Sequence, residues 1–523
     1  MIALCSHRHS SDTNQNTALK KSFPLSQFKH FWINFYKTSF YLIWDFFSRY
    51  TSMLFILLLA TIILKSIAIA GDPENSVFGY HPAAVLENGY SDNGLFDAEY
   101  IGVKWTRQAT PAYWSNVQPD LNADEYDFDF YDKQWGNVPT SMCIMGCLAP
   151  GSGRTLEDSW YPTNEEQYIA FVKATVERYD GDGIDDMPGL QNPIKYWQVG
   201  NEFGGSGWSD FADLQKISYQ AIKETCPDCT VLLGGIASLS FDYMSRFDEY
   251  YGSVIEELNG NFIDIIDIHW YEEADGGYRL KDNTTGDDIL DHVRDFLVKS
   301  GFPEDMPIWS TEMGTYSGQP EGLPYQTEHQ HATDNFKRYI YGLSRGIAKI
   351  FQSYGMMEGW QDEDDTFDHT GLIYEGKNSS DRGLGIKKLG YYSYKKMTET
   401  LEGADWSTLE MLRDGTDTDL LYLFRIIKDN IPIYIAWWDY FDDPDYFQGN
   451  TKDIRLRGIP GNIISITKVV PEYVYGEEIT DYDTAFTVYT SPIRRGIAKI
   501  SLDETPVFIT LSQDFDPSRR KKK

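Results

Sequence analysis

Short apolar runs alternate with amphipathic stretches along the chain from residue 71 to residue 403. The apolar runs predict eight strands, at 76–81, 102–107, 140–148, 195–202, 230–235, 262–271, 307–312 and 350–360. Between them, apolar positions recur at helical spacing, as in 168–179, where Thr163 and Glu166 predict a capping box at the start of the helix. Helices are also predicted over 287–298, 328–343 and 390–401. Eight strands alternating with helices predict an α/β fold, a (β/α)8 TIM barrel.

The pattern changes after residue 403, where short strands follow one another without helices between them. They are predicted at 408–413, 420–428, 431–438, 463–470 and 484–490, separated by Gly, Asp, Asn and Pro. Such a pattern is typical of an all-β domain. We therefore predict a catalytic barrel over 71–403, a C-terminal all-β sandwich over 404–514 and a solvated basic tail over 515–523.

Residues 51–64 form an uncharged apolar run that is followed by the small residues Ala68 and Ala70. This pattern predicts a signal peptide cleaved after Ala70. The run is short for a bilayer span of about 20 residues. An uncleaved membrane anchor and a translation start at Met53 are the alternatives. The N-terminal extension 1–70 thus predicts export, to the medium, the periplasm or the cell surface.

The charge of the chain separates classes of partner. There are 79 acidic and 46 basic residues, a formal net charge of −33. This balance excludes nucleic acid as a partner, because phosphate binding requires clustered Lys and Arg.

Four cysteines follow Ala70, and an even number in an exported protein permits two disulfides. A local bridge between Cys226 and Cys229 is the pairing that we favour over a zinc site or a redox motif.

Two glutamates close predicted strands and indicate the chemistry. Glu202, preceded by Asn201, ends the fourth strand, and Glu312 ends the seventh. A residue at the C-terminal end of a barrel strand faces the active site. Two carboxylates placed in this way are what a retaining glycosidase requires, one as acid/base and one as nucleophile.

The same motifs resemble those of the clan of retaining glycoside hydrolases whose (β/α)8 barrels carry catalytic glutamates on strands four and seven. In that clan an Asn precedes the acid/base Glu, a Glu closes strand seven, and His-x-Tyr ends strand six. Arg and Trp residues end strands two and eight. The resemblance covers about residues 75–400, and it is carried by Asn201, Glu202, Glu312, His269, Tyr271, Arg107 and Trp360.

Within the clan the chain is most similar to family 39, the branch of β-xylosidases and α-iduronidases, and His81 on strand one belongs to that likeness. Families 5, 30 and 51 share many of the motifs. Family 39 reads Trp-Asn-Glu-Pro around the acid/base, whereas this chain has Gly200 before Asn201 and Phe203 after Glu202.

The resemblance implies a hydrolase of oligo- or polysaccharides that acts by double displacement, without a cofactor or a metal. Glu312 is the predicted nucleophile and Glu202 the predicted acid/base. The predicted substrate-binding residues are Asn201, Arg107, His269, Tyr271, Trp360 and His81. A catalytically silent carbohydrate-binding envelope protein and a transglycosidase are the alternatives.

Two further groups of residues have both a functional and a structural interpretation. Trp114 and Trp208 follow strands two and four and are candidates for distal sugar subsites or for packing. The acidic run 362–365 is interpreted as a solvated loop rather than a calcium site, because it lacks the glycine and the distal Glu of a calcium-binding loop.

Overall fold

The computed structural model describes residues 72–82, 94–107, 110–123, 125–204, 207–237, 243–282, 284–359, 365–377, 382–472 and 478–511. The apolar run 51–64, Trp360, the acidic residues 362–364 and the tail 515–523 lie outside these ranges. Within them, no helix combines the length and the apolar character that a membrane span requires.

Eight parallel strands form the barrel. They are β1 (Phe78–Tyr80), β2 (Trp105–Arg107), β3 (Cys143–Ala149), β4 (Tyr196–Val199), β5 (Thr230–Leu233), β6 (Ile266–Tyr271), β7 (Ile308–Gly314) and β8 (Ile347–Gln352). Each strand pairs in parallel with its neighbour from β5 back to β1, and β1 pairs with β8. Bridges from Leu232 to Ile265 and from Ile236 to Ile268 join β5 to the β6 segment and nearly close the barrel. The predicted fold class is confirmed.

The eighth strand differs from its prediction. It runs from Ile347 to Gln352, whereas the sequence predicts 350–360. The apolar run continues beyond Gln352 because Met356 and Met357 are buried in the loop that follows the strand. Buried apolar residues in a loop give the same sequence pattern as apolar residues in a strand. The predicted end of this strand is therefore wrong.

Helices surround the barrel. They are α1 (Leu95–Tyr100), α2 (Trp114–Val117), α3 (Asp129–Gly136), α4 (Glu165–Tyr179), α5 (Phe211–Thr225), α6 (Tyr243–Arg246), α7 (Ser253–Leu258), α8 (Ile289–Lys299), α9 (Glu328–Ser344) and α10 (Leu389–Leu401). The N-cap of α4 is Asn164, whose side chain accepts from the backbone N–H of Gln167, so the predicted cap at Thr163 is one residue early. A full capping box is present at α9, between Thr327 and Gln330.

The C-terminal strands form two antiparallel sheets. They are β9 (Asp405–Asp414), β10 (Leu421–Lys428), β11 (Ile431–Trp438), β12 (Lys452–Arg457), β13 (Ile463–Lys468), β14 (Val488–Pro492), β15 (Ile497–Leu502) and β16 (Val507–Leu511). Six strands pair in the order β9-β10-β11-β16-β13-β14, and β12 pairs with β15. Apolar side chains from both sheets share one core, which makes the domain a sandwich.

The larger sheet of the sandwich also packs against the barrel, because its side chains alternate between two faces. Leu421 and Leu423 of β10 belong to the core of the sandwich, while Tyr422 and Phe424 belong to the main core of the barrel. At the contact, buried Asp439 accepts hydrogen bonds from the Tyr278 hydroxyl at 2.6 Å and from Arg279 Nη2 at 2.7 Å.

Two of the cysteines are joined. Cys226 and Cys229 form a disulfide with an S–S distance of 2.03 Å, at the turn between α5 and β5. The local pairing is therefore confirmed. Cys143 and Cys147 are not joined in a disulfide, and burial raises the pKa of Cys147 to about 12. The second disulfide that the even count permits is not formed.

Candidate active site

The C-terminal ends of the barrel strands converge on one cluster of polar side chains. The predicted catalytic and substrate-binding residues that the structure describes all lie in this cluster. The members are His81 after β1, Arg107 at the end of β2, Asn201 and Glu202 after β4, His269 and Tyr271 on β6, and Glu312 on β7.

Glu312 lies at the centre of the cluster, and its side chain is 10% exposed. Arg107 Nη1 donates to its Oε1, and the Tyr271 hydroxyl donates to its Oε2 at 2.9 Å. His81 Nε2 lies 3.4 Å from Oε1, and His269 Nδ1 lies 3.6 Å from Oε2. Burial alone would raise the pKa of this carboxyl, but the positive charges of His269 and Arg107 hold it well below its usual range. Glu312 is therefore ionised.

A bulge in β7 directs Glu312 into the barrel. Asp267 of β6 pairs with Trp309, but His269, two residues later, pairs with Glu312, three residues after Trp309. Side chains alternate faces along a regular strand, so residues 309 and 312 would point in opposite directions without this extra residue. Because of the bulge, both Trp309 and Glu312 face the barrel interior.

Glu202 lies just beyond the end of β4, in a backbone conformation with φ +46°. Its backbone N–H donates to Gly235 O at 3.1 Å, and its side chain is 39% exposed. Phe203 and Gly200, which depart from the family pattern, both contact the ring of Phe211. Phe203 stacks on that ring at 3.8 Å, and a Cβ on Gly200 would lie 2.7 Å from it. The two departures are thus parts of one packing arrangement that holds the strand end.

His269 lies between the two carboxylates. Its Nδ1 is 2.6 Å from Glu202 Oε1, and its ring is fully enclosed. The ring packs so closely on the segment after β5 that a Cβ on Gly235 would lie 2.0 Å from His269 Nε2. One oxygen of Glu202 and one of Glu312 lie within 4.8 Å of each other, with His269 Nδ1 or Nε2 inside the same distance of both.

Below these groups lies a layer of buried polar side chains that the sequence did not predict. Gln198 on β4 accepts from Arg107 Nε at 3.0 Å and donates to Asp267 Oδ2 at 2.6 Å. Asp267 also accepts from the hydroxyl of Thr311 at 2.6 Å and from its backbone N–H at 2.9 Å. These contacts join β2, β4, β6 and β7 beneath the carboxylates. Polar residues inside predicted strands are the signal that could have identified them.

The loop after β8 contributes aromatic rings to the site. Tyr354 packs edge-on against His81 with ring centroids 4.8 Å apart, and Phe367 packs edge-on against Tyr271 at 5.0 Å. Phe367 is 40% exposed. The Tyr271 hydroxyl also lies 2.5 Å from Ser353 Oγ. Tyr354 is the first aromatic residue after β8, a position that would mark it as a candidate site residue. The predicted strand extended to residue 360 and therefore placed Tyr354 inside the strand.

Three tryptophans are candidates for sugar binding, and the structure bears on each of them differently. Trp360 lies outside the described residues, so its role stays a prediction. Trp114 is fully buried, and its indole N–H donates to Gln118 Oε1 at 2.9 Å, so it belongs to the core and offers no sugar platform. Trp208 is half-buried and packs against Tyr250 at 5.9 Å.

The cluster could in principle ligate a metal through Glu202, His269 and Glu312, which each offer one atom. Burial would lower the pKa of His269, but the charges of Glu312 and Asp267 raise it to about 10. The imidazole is therefore protonated at neutral pH, and it would have to lose a proton before it could bind a metal. The donor set fits a hydrogen-bonded acid cluster better than a metal site.

Comparisons with known proteins show which folds the chain is similar to. No protein-family model matches the sequence, and no curated protein matches it. Among solved structures, a family 39 glycoside hydrolase from Bacteroides cellulosilyticus WH2 has a TM-score of 0.58 at 15% identity, covering 83% of this chain and 80% of that chain. A glucosidase from Croceicoccus marinus has a TM-score of 0.56 at 14% identity, covering 84% and 98%.

BuGH86, solved in complex with neoagarooctaose, has a TM-score of 0.53 at 11% identity and covers 84% of this chain and 75% of its own. At these identities the likeness concerns the fold. The chain therefore has the fold of glycoside hydrolases of several families, and the comparisons leave the family open.

Proposed function

We propose that this protein is a retaining glycoside hydrolase that cleaves O-glycosidic bonds of oligo- or polysaccharides. The observation that carries the proposal is the pair of carboxylates, Glu202 after β4 and Glu312 on β7, with oxygens within 4.8 Å of each other. Retaining glycosidases hold their two carboxyls about 5–5.5 Å apart, whereas inverting enzymes need about 6.5–9.5 Å to admit a water molecule. The shorter separation favours double displacement.

Glu312 is the proposed nucleophile. It must be ionised to attack the anomeric carbon, and both of its oxygens are already oriented by donors from Arg107 and Tyr271. Burial and the nearby charge of Glu312 raise the pKa of Tyr271 well above its usual value, so the phenol keeps its proton and remains a donor. These contacts hold the attacking carboxylate in one position before substrate binds.

Glu202 is the proposed acid/base. It is the more exposed of the two carboxyls, as the residue that meets the leaving oxygen and the incoming water must be. In the first step it gives a proton to the leaving oxygen while Glu312 bonds to the anomeric carbon. In the second step it takes a proton from water, whose oxygen displaces Glu312 from the sugar.

The remaining residues would hold the sugar. Arg107 Nη2 donates to Asn201 Oδ1 at 2.5 Å, which leaves the amide nitrogen of Asn201 to donate to a sugar hydroxyl. The rings of Tyr354 and Phe367 lie beside the carboxylates and offer apolar surface to a pyranose face. A neighbour of the same fold was solved with an octasaccharide-type ligand, neoagarooctaose, which agrees with a carbohydrate substrate.

Hydrolysis of a broad panel of aryl glycosides tests the proposal. In the variants Glu202→Ala and Glu312→Ala we expect turnover of any cleaved glycoside to be nearly abolished. Added azide should then give a product of retained configuration with Glu202→Ala and of inverted configuration with Glu312→Ala. In the first case azide attacks the glycosyl-enzyme in place of base-activated water, and in the second it attacks the substrate in place of Glu312. Unchanged turnover in either variant would contradict the assignment. Binding of oligosaccharides without cleavage of any glycoside would favour the silent carbohydrate-binding protein.

We also infer that the protein is exported. The Cys226–Cys229 disulfide supports this, because disulfides persist in oxidising compartments. N-terminal sequencing of the mature protein tests the inference. A first residue at position 71 would support a cleaved signal peptide, and recovery of residues 1–70 in a membrane fraction would support an anchor.

A further inference from the structure

Asp267 is a fully buried carboxylate inside the barrel, directly below the candidate catalytic groups. Its Oδ2 lies 3.4 Å from His269 Nε2, and His269 Nδ1 lies 2.6 Å from Glu202 Oε1. One imidazole therefore separates Asp267 from Glu202. The proposed function uses neither Asp267 nor a change of charge on His269.

The hydrogen bonds around His269 determine how many protons its ring carries. The hydroxyl of Thr311 has one proton and donates it to Asp267 at 2.6 Å. Thr311 Oγ1, 3.3 Å from His269 Nε2, is therefore an acceptor toward the ring, so Nε2 carries a hydrogen. On the other side, Nδ1 faces Glu202 and the ionised Glu312, and an ionised carboxylate only accepts. A proton must therefore lie between Nδ1 and Glu202 Oε1.

We propose that Asp267 is a positioning residue that keeps His269 doubly protonated, so that His269 and Glu202 together hold the proton that is delivered to the leaving oxygen. This inference rests on the proposed function. The charged and titratable groups that face His269 are Glu202 after β4, Glu312 on β7 and Asp267 on its own strand, with His81 and Arg107 beyond Glu312.

The protons and charges balance in both steps. In the first step the bond from the anomeric carbon to the leaving oxygen breaks and the bond to Glu312 forms. The single proton shared by His269 Nδ1 and Glu202 Oε1 passes through Glu202 to the leaving oxygen, which leaves a neutral imidazole beside ionised Glu202. In the second step water gives one proton back to the pair, and its oxygen bonds to the anomeric carbon as Glu312 departs.

The charge of Glu312 couples formation of the glycosyl-enzyme to release of the proton from His269. Burial lowers the pKa of His269, and the carboxylates of Glu312 and Asp267 raise it to about 10. When Glu312 becomes an uncharged ester, one of these two charges disappears, and the imidazolium becomes a stronger acid. Release of the His269 proton is thereby favoured at the moment when the leaving oxygen needs it. Asp267, whose charge does not change, ensures that the proton is present beforehand.

Nuclear magnetic resonance of the ring nitrogens of His269 in the ligand-free full chain tests the proposal without any substrate. The signal is assigned by its absence in His269→Gln. At pH 7 we expect both ring nitrogens of the wild type to carry protons. In Asp267→Asn the midpoint of the titration should fall by about one pH unit or more. A neutral His269 in the wild type at pH 7, or an unchanged midpoint in Asp267→Asn, would overturn the proposal.

The pH dependence of kcat/KM gives a second readout, which a merely structural role for Asp267 would not move. We expect the alkaline limb to shift to lower pH in Asp267→Asn by the same amount as the midpoint of His269. The matched control is Asp264→Asn, the same chemical change near the opposite end of the barrel, where Asp264 pairs with Lys223 at 2.8 Å. Its alkaline limb should stay in place. Equal shifts in both variants would contradict the proposal.

One further variant and one further outcome keep the test decisive. If Asp267→Asn does not fold, Thr311→Val removes the acceptor of His269 Nε2 and should also lower the midpoint of His269; no change would count against the proposal. If the wild type hydrolyses no glycoside, the proposed function fails, and the protonation of His269 is still decided by the spectra.

Discussion

The two ends of the barrel interior use the same strands but opposite chemistry. On β2, Trp105 faces the N-terminal end and Arg107 the C-terminal end, and on β7 Trp309 and Glu312 divide in the same way. At the N-terminal end the rings of Trp105 and Trp309 pack edge-on at 5.2 Å, and Phe351 lies 6.1 Å from Trp309. One end is filled by packing, and the other is held by charge and hydrogen bonds.

This difference shows how a stable barrel can contain a site whose buried charges are energetically unfavourable. Burying charged groups is unfavourable unless each is paired, and Glu312, Arg107 and Asp267 each have several partners. The aromatic layer has no such requirement, and its apolar burial stabilises the barrel directly. We therefore expect mutations at the two ends to separate activity from stability.

The largest effect is expected for Glu312→Gln. The amide keeps the shape of the side chain, and its one oxygen can still accept from Arg107, but it cannot form the covalent intermediate. We expect kcat/KM to fall by about four orders of magnitude with little change in Tm. Steady-state kinetics and thermal unfolding of the same preparation measure both quantities. A large loss of Tm with residual activity would reverse the proposed division of roles.

For Phe351→Ala at the aromatic end we expect the reverse, a loss of stability with activity retained. The ring is fully buried and covers Gly79, where a Cβ would lie 2.4 Å from it. Removing it should lower the free energy of unfolding by about 3–5 kcal/mol. Urea unfolding measures this loss, and kcat/KM of the folded protein should stay close to that of the wild type. Loss of turnover without loss of stability would argue against two independent layers.

A smaller effect concerns the dependence of stability on pH. The pKa of His269 is raised from 6.5 to about 10 in the folded protein, so the native state binds the proton more tightly than the unfolded state. Its contribution to stability is complete below pH 6.5 and is lost as the pH rises toward 10. Urea unfolding at several pH values should therefore show a decline over this range that is weaker in His269→Gln. Parallel curves for the two proteins would contradict the raised pKa.

The smallest effect is expected outside the barrel interior, at the disulfide. Cys226 and Cys229 close a loop with a sequence separation of 3. The entropy of so short a loop is small, so the double variant Cys226→Ser/Cys229→Ser should lose about 2 kcal/mol of stability and no activity. A comparison of unfolding with and without a reducing agent provides the control. A loss of activity on reduction would show that the site depends on this turn.

The parts of the site that the sequence predicts are those with a local signal. Glu202 and Glu312 each follow a short apolar run, and the alternation of such runs with helices places them on the fourth and seventh strands. The larger outlines of the fold follow from the same periodicity. In the sandwich, the alternating Ile454 and Leu456 of β12 carried a comparable signal that was missed.

The parts that escape prediction depend on register between strands. The bulge that turns Glu312 inward requires the pairing of β6 with β7, and the contact of Asp267 with Thr311 follows from that pairing. In the sequence, Gln198 is only a single polar residue within a strand. Its role becomes evident from its hydrogen bond with Arg107, which the sequence does not reveal. No single-sequence pattern encodes these distances.

The most direct measurement of the central claim is covalent trapping of the nucleophile. The fluorine of a 2-deoxy-2-fluoro glycoside slows both formation and hydrolysis of the glycosyl-enzyme, and a reactive aryl leaving group keeps formation the faster step, so the intermediate accumulates when the sugar is one that the wild type cleaves. Mass spectrometry of the digested protein should place one sugar on the peptide that contains Glu312, and no label should form in Glu312→Gln. A label on another residue, or turnover without any covalent intermediate, would contradict the account.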